Sequence, residues 1–133
     1  MGQYLSLIAL VVPDYDEAIG FYVDILGFHL IEDTPQSDGK RWVVVAPPGS
    51  RETRILLARA VNDVQTASIG NQTGGRVFLF LHTDDFSVDY GKMCQSGVHF
   101  EESPRNEPYG EVAVFCDPFG NRWDLVQFSA GNH

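Results

Sequence analysis

Residues 5–33 read LSLIALVVPDYDEAIGFYVDILGFHLIED, and residues 76–103 read RVFLFLHTDDFSVDYGKMCQSGVHFEES. Each stretch contains an apolar strand, an Asp-aromatic step, an amphipathic segment, a glycine and a second short strand. The similarity continues farther along the chain at a constant offset of 70 residues, since residues 42–45 correspond to 112–115 and Pro48 corresponds to Pro118. An internal repeat of this kind indicates that one structural module is used twice.

Local signals define the module. Asp14, followed by Glu17, is typical of a capping box in which Asp is the N-cap. Apolar residues then recur at helical spacing, and Gly27 supplies a helix end. In the second copy, Asp85 begins the helix and Gly97 ends it. We expect three strands after each helix, at about 28–33, 41–46 and 53–59 and then at about 98–102, 110–116 and 121–128.

These elements predict an α+β chain made of two βαβββ modules within a single domain, 1–133. Module one covers about 1–60, a polar linker about 61–75, and module two about 76–130. One helix covers only one face of a four-stranded sheet, so the other face must be buried elsewhere or line a cavity. Pairing two such sheets would enclose a cup.

Composition excludes several function classes. The chain has a formal net charge of −9 and only nine scattered basic residues, so it lacks the cations that a nucleic-acid partner needs. No apolar run reaches the length of about 20 residues that a membrane helix requires, and no signal peptide begins the chain. We therefore expect a cytoplasmic protein that binds neither nucleic acid nor membrane. Cys94 and Cys116 have no metal-binding spacing and are expected to be reduced structural thiols.

The stretches VVPDYDEAIGFYVDILGF at 11–28 and YGEVAVFCDPFGNRWDL at 109–125 resemble the vicinal oxygen chelate superfamily. That superfamily includes glyoxalase I, extradiol dioxygenases, fosfomycin-resistance enzymes, methylmalonyl-CoA epimerase and bleomycin-resistance proteins. The resemblance covers nearly the whole chain and implies a cup-shaped mixed sheet of the glyoxalase/bleomycin resistance type. The matching motifs cap a helix and turn the chain, so they identify a scaffold and not a reaction.

The resemblance also implies where a metal would bind, with one ligand on each of four strands. Three of these positions are apolar here, at Leu7, at Leu56 or its neighbour Leu57, and at Phe78. Only Asp124 offers a ligand atom, and a catalytic divalent ion needs about three. His82 is expected to share the cavity with Asp124, but two ligands would bind weakly. We predict no metal and no cofactor, with a divalent metal as the alternative.

Alternation along the strands predicts which side chains face the cavity. The opposite set, including Ile55, Leu57, Trp123 and Leu125, is apolar and should pack under the helices. Arg54 could hold a ligand carboxylate or phosphate, and Asp124 an amine or hydroxyl. The predicted ligand-binding residues are Leu7, Arg54, Leu56, Phe78, Phe80, His82, Tyr109 and Asp124.

Some alternatives stay open. In one, Arg122 or Arg54 pairs with Asp124 and side chains fill the cavity, since buried charges must be paired in any case. Trp42 and Tyr109 are candidate stacking groups, although core or dimer contacts would also explain them. The segment SPRNEPYG at 103–110 is expected to be a solvated loop that could close over the cup.

The sequence favours a metal-independent protein that binds a small amphipathic molecule, for sequestration or sensing as in bleomycin-resistance proteins, and that forms a homodimer. One alternative is a metal-dependent enzyme of the same superfamily, a glyoxalase-type lyase, an isomerase or a dioxygenase. A further alternative is a protein-interaction module. Catalytic residues cannot be named, because the chain contains no nucleophile elbow, dinucleotide fingerprint or P-loop.

Overall fold

The first repeat forms a four-stranded mixed sheet in a computed structural model that describes residues 2–130. Its strands lie in the order β1-β4-β3-β2, with β1 parallel to β4 and the other neighbours antiparallel. This unit ends at Ile69, and a second compact unit begins at Gly70. The strands are β1 (Leu7–Val12), β2 (His29–Pro35), β3 (Arg41–Ala46) and β4 (Arg54–Arg59).

The predicted helix of the first unit begins as α1 (Tyr15–Ile19) and continues as a π-helical segment, Gly20–Ile25. The predicted N-cap is confirmed, because the Asp14 carboxylate accepts a hydrogen bond of 2.8 Å from the Glu17 backbone N–H. The wider turn of this π-helical segment is defined by a hydrogen bond of 2.8 Å that the Leu26 N–H donates to the Phe21 carbonyl, five residues earlier. One apolar stripe therefore spans two helix types.

The segment expected to be a linker contains a second helix, α2 (Asp63–Ser68). Asn62 begins it, because the Asn62 side chain accepts a hydrogen bond of 2.8 Å from the Gln65 N–H. A 3₁₀ turn, Ser37–Gly39, joins β2 to β3.

The second repeat forms a five-stranded sheet in the order β5-β9-β8-β6, with β7 also paired to β8. Its one helix, α3 (Phe86–Gln95), begins at Asp85, whose carboxylate accepts from the Val88 N–H at 3.2 Å. No helix within residues 2–130 is long and apolar enough to cross a membrane. The strands are β5 (Leu79–His82), β6 (His99–Phe100), β7 (Arg105–Glu107), β8 (Gly110–Cys116) and β9 (Arg122–Phe128).

A predicted turn between β8 and β9 is confirmed in DPFGN. The Asp117 carboxylate accepts hydrogen bonds from the Phe119 N–H at 3.0 Å and the Asn121 N–H at 2.8 Å. The Asn121 amide returns a bond of 2.7 Å to the same carboxylate. Both polar side chains are buried and stabilise the turn from within.

The core of each unit contains apolar residues from its helix and from its strands. The apolar set that alternation predicts to lie under the helices is confirmed in part, since several of its members are buried while those on β5 are half-buried. The fold is of the predicted α+β class, with a βαβββ order in each unit and the extra pairing of β7. The buried members are Leu10, Val12, Ile55, Leu57, Trp123 and Leu125.

Candidate functional site

Asp124 lies in the middle of β9, on the face of the second sheet opposite the helix. Its neighbours in the adjoining strands are Phe80 and Val114. Only 6% of the residue is exposed, and Oδ1 is buried without a hydrogen-bond partner in the described part of the chain. A buried carboxylate oxygen normally has a partner, so this one leaves an acceptor available to a bound molecule.

Burial determines the protonation of this carboxyl group. Removal from water raises the pKa of Asp124, the positive charge of Arg105 lowers it in part, and the charge of Glu102 raises it further. The charged form is disfavoured because a desolvated carboxylate without full compensation is costly. Asp124 can therefore interact either as a charged acceptor or, when protonated, as a donor.

Among residues 2–130, Arg122 forms its ion pair with Glu101 and not with Asp124, which was one alternative from the sequence, although the charge of Arg122 lowers the pKa of Asp124 in part. Its guanidinium forms two hydrogen bonds to Glu101, at 2.9 and 3.0 Å, and a third to the Gly75 carbonyl at 3.0 Å. Glu101 also accepts from the Cys116 thiol at 2.8 Å. Burial, with a smaller contribution from Glu101, raises the pKa of Cys116 to about 12. This thiol is therefore protonated at neutral pH.

A second polar row comes from β7, where the sequence predicted a solvated loop. That expectation is wrong for Arg105–Glu107, which pairs with β8 in an antiparallel register. Arg105 donates from Nε to Glu102 at 3.0 Å and also forms an ion pair with Glu107. Glu102 in turn accepts from the Val114 N–H at 3.1 Å. These contacts hold Arg105 near Asp124. They also pair the charge of Arg105 with the carboxylates of Glu102 and Glu107.

Exposed aromatic side chains lie beside Asp124. Phe80 is 65% exposed. The His82 ring stacks on the Phe128 ring with centroids 5.8 Å apart, and the Tyr109 ring lies 6.4 Å from Phe128. Phe80, His82 and Tyr109 were predicted from the sequence as ligand contacts, whereas Phe128, which continues the alternation of β9 two residues beyond Val126, was not. The second unit thus combines an aromatic surface with a buried acceptor, which is typical of small-molecule sites.

The other predicted residue of this unit, Phe78, precedes β5 and is half-buried. Its backbone N–H donates to the Arg122 carbonyl at 2.8 Å, which extends the pairing of β5 with β9.

In the first unit, Leu7 and Arg54 are direct register partners of β1 and β4, and Leu56 lies two residues farther along β4. All three are half-buried. Arg54 has a buried Nε atom with no hydrogen-bond partner among residues 2–130. This N–H could still donate to the ligand carboxylate or phosphate that was predicted from the sequence.

The first unit also contains a cleft of about 460 Å³ that the sequence did not reveal. It lies where β3 begins and β4 ends, against the Ser37–Gly39 turn, and its lining includes Tyr15, Lys40, Trp42, Leu56 and Arg59. Of these, only Trp42 and Leu56 were named as candidate ligand contacts. The others come from a helix, a turn and a strand end, so no single strand pattern marks them.

Residues 2–130 contain no group of three or more His, Cys, Asp and Glu side chains that could hold a metal ion. His82 pairs in register with Val126 and not with Asp124, and its Nε2 lies 3.2 Å from the Asp84 carboxylate. Val126 is two residues from Asp124 along β9, so alternation leaves His82 and Asp124 on the same face, and their sharing of a cavity stays a prediction.

Comparison with known proteins identifies the family. The model for the Glyoxalase/Bleomycin resistance protein/Dioxygenase superfamily matches residues 4–125. The chain belongs to this superfamily. The glyoxalase/bleomycin resistance fold and the sequence resemblance are thereby confirmed.

Relatives of this superfamily member include proteins of similar length. A Shewanella frigidimarina protein is 58% identical over 130 residues, covering 97% of this chain and 96% of its own. Among solved structures, TnmS3, an antibiotic binding protein from Streptomyces sp. CB03234, has 34% identity and a TM-score of 0.77, covering 96% of this chain and 97% of its own. UcmS2 has 28% identity and a TM-score of 0.82, covering 95% and 98%.

Proposed function

We propose that this protein binds a small amphipathic molecule without the help of a metal ion and serves to sequester or sense that molecule. The observation that carries the proposal is the buried Oδ1 of Asp124, which has no hydrogen-bond partner among residues 2–130, beside the exposed ring of Phe80. Such a pair offers one directional hydrogen bond and one apolar contact surface. The similarity to an antibiotic binding protein supports the same class of function.

The ligand that best matches this surface is a planar aromatic compound bearing an ammonium or hydroxyl group. Its ring would contact Phe80, Tyr109 and His82, and its donor would reach Asp124. We also propose that Leu7, Arg54, Leu56 and Phe78 contact the ligand, as predicted from the sequence. We further propose that the protein forms a homodimer and is located in the cytoplasm.

Doxorubicin is a suitable probe, because its planar rings carry an amine and several hydroxyl groups. We expect it to raise the melting temperature in a concentration-dependent manner, and a ligand at 100 times its Kd stabilises by about 2.7 kcal/mol. Asp124→Asn should weaken binding by roughly tenfold, since a charge-assisted hydrogen bond contributes about 1.5–3 kcal/mol.

The matched control is Asp24→Asn, which removes the same charge from an exposed position. Equal affinities in these two variants would contradict the role of Asp124, and the absence of any thermal shift would refute the aromatic-amine class.

A further inference from the structure

The cleft of the first unit carries an inference that is independent of the function proposed for Asp124. The ring of Tyr15 contacts two cations, since the guanidinium carbons of Arg41 and Arg59 are each 5.2 Å from its centroid. Strand β3 begins at Arg41, and the neighbouring antiparallel strand β4 ends at Arg59, so these two residues lie at the same end of the sheet. Lys40 lines the cleft beside them.

The two guanidinium groups differ in their counter-ions. Arg41 pairs with Asp33 at 2.7 Å and with Asp16 at 2.9 Å, which neutralises its charge. Within residues 2–130, Arg59 and Lys40 form no ion pair with an acidic side chain. The Tyr15 ring holds the Arg59 guanidinium in place, so its N–H donors are oriented without being used by a carboxylate.

The rest of the cleft combines apolar side chains with the polar residues Ser37, Asp38 and Gln65. The half-buried indole of Trp42 forms part of the lining, and Leu56 and Ala58 follow from β4. Val61 also lines the cleft, and 71% of this residue is exposed. The volume of about 460 Å³ falls in the ordinary range for small-molecule sites.

We propose that this cleft binds a planar aromatic molecule that carries an anionic group, a carboxylate, sulfonate or phosphate. Arg59 and Lys40 bind the anion, and Trp42 and Val61 contact the ring. Asp38 also lines the cleft, and its negative charge opposes such a ligand. Removal of the positive charge of Arg59 should therefore weaken binding, and removal of the negative charge of Asp38 should strengthen it.

The ligand requirement can be tested on the unmodified protein with 2-naphthoate and its uncharged analogue, 2-naphthalenemethanol. Isothermal titration calorimetry should show at least about fivefold tighter binding of 2-naphthoate, because a charge-assisted hydrogen bond outweighs a neutral one. Added salt should reduce this difference, since the cations are partly exposed. Equal affinity for the two compounds, or no binding of either, would overturn the proposal.

Three variants locate the site. Arg59→Gln should weaken 2-naphthoate binding about fivefold or more, whereas Asp38→Asn should tighten it. Asn tolerates the positive φ of 60° at residue 38 as well as Asp does. Arg51→Gln, at an exposed position outside the cleft, serves as the control.

If Arg59→Gln and Arg51→Gln weaken binding equally, the general charge of the protein explains the result and the site is wrong. Asp38→Asn should change the affinity for 2-naphthoate in the opposite direction. It therefore tests the proposed site even if Arg59→Gln does not fold. A decrease or no change in the affinity of Asp38→Asn would contradict the assignment.

Discussion

Asp124 has a carboxyl group that burial separates from water, and its Oδ1 atom has no hydrogen-bond partner in the part of the chain that the structure describes. Alternation along β9 was enough to predict that it lies opposite Trp123 and Leu125. Whether Asp124 would pair with Arg122 could not be predicted, because Arg122 pairs instead with Glu101, which is distant in sequence. The sequence thus placed the residue on the right face but did not determine its electrostatic surroundings.

Stability should depend on the charge of Asp124. Folding raises its pKa above the ordinary value of 3.8, so the native state binds the proton more tightly than the unfolded chain. Stability is therefore lost as pH rises through the folded pKa. We expect Asp124→Asn to melt roughly 2–4 °C higher than the unmodified protein at pH 7, the effect of about 1 kcal/mol in a domain of this size.

The advantage of Asp124→Asn should shrink as pH falls through the raised pKa of the folded protein towards 3.8, below which the folded and unfolded states of the unmodified protein both hold the proton. Differential scanning calorimetry between pH 7 and pH 3 measures this, with Asp24→Asn as the exposed control. A pH-independent difference between Asp124→Asn and the unmodified protein would show that packing, and not ionisation, is responsible.

The two cysteines should differ in reactivity. The pKa of Cys116 is raised to about 12, so it contains almost no thiolate at pH 8, whereas Cys94 is exposed on α3. Brief treatment with iodoacetamide at pH 8 should modify Cys94 well before Cys116, as measured by peptide mass spectrometry. Glu101→Gln removes the carboxylate beside Cys116 and should increase its labelling. Equal rates for the two thiols in the unmodified protein would contradict this prediction.

At the scale of elements, the capping residues and glycines were the most informative signals. Asp14 and Asp85 cap helices as predicted, and Gly27 and Gly97 follow them with φ values of 88° and 89°. The strand β7 was missed because it has only three residues between two prolines, too few for alternation to be recognised. Its pairing with β8 is a nonlocal choice that local sequence does not encode.

Gly110, at the start of β8, should not tolerate a side chain. Its φ is 151°, and an added Cβ would lie 2.2 Å from the Gln127 carbonyl oxygen and 2.9 Å from the Phe128 Cα. We expect Gly110→Ala to destabilise the protein by roughly 2–4 kcal/mol, because both obstacles are backbone atoms of the paired strand β9.

Gly91→Ala is the matched comparison. Gly91 lies inside α3 with no atom within 4 Å of its added Cβ, so the change should stabilise by roughly 0.5–1 kcal/mol. Urea unfolding of both variants measures these opposite effects. Similar midpoints for the two alanine variants would contradict the structural argument for Gly110.

At the scale of the whole molecule, the repeat predicted the fold better than it predicted the binding surfaces. Residues that share a strand, such as Leu7 and Ala9 or Phe80 and His82, are related by a period that the sequence displays. The cleft with Arg59 depends instead on where a turn, a helix start and two strand ends meet. Such convergence is set by packing between elements, and the family resemblance adds nothing to it because its motifs concern the scaffold.

The protein should contain little bound metal. One carboxylate and water molecules bind a divalent ion weakly, and residues 2–130 contain no group of three or more His, Cys, Asp and Glu side chains that could hold one. Protein purified without a tag or chelator should contain far less than one Ni, Zn, Fe or Mn ion per chain by elemental analysis. Its melting temperature should be unchanged by EDTA, and Asp124→Asn should have the same metal content. About one ion per chain, combined with a melt that EDTA lowers in the unmodified protein but not in Asp124→Asn, would overturn the metal-independent proposal and favour a lyase, isomerase or dioxygenase.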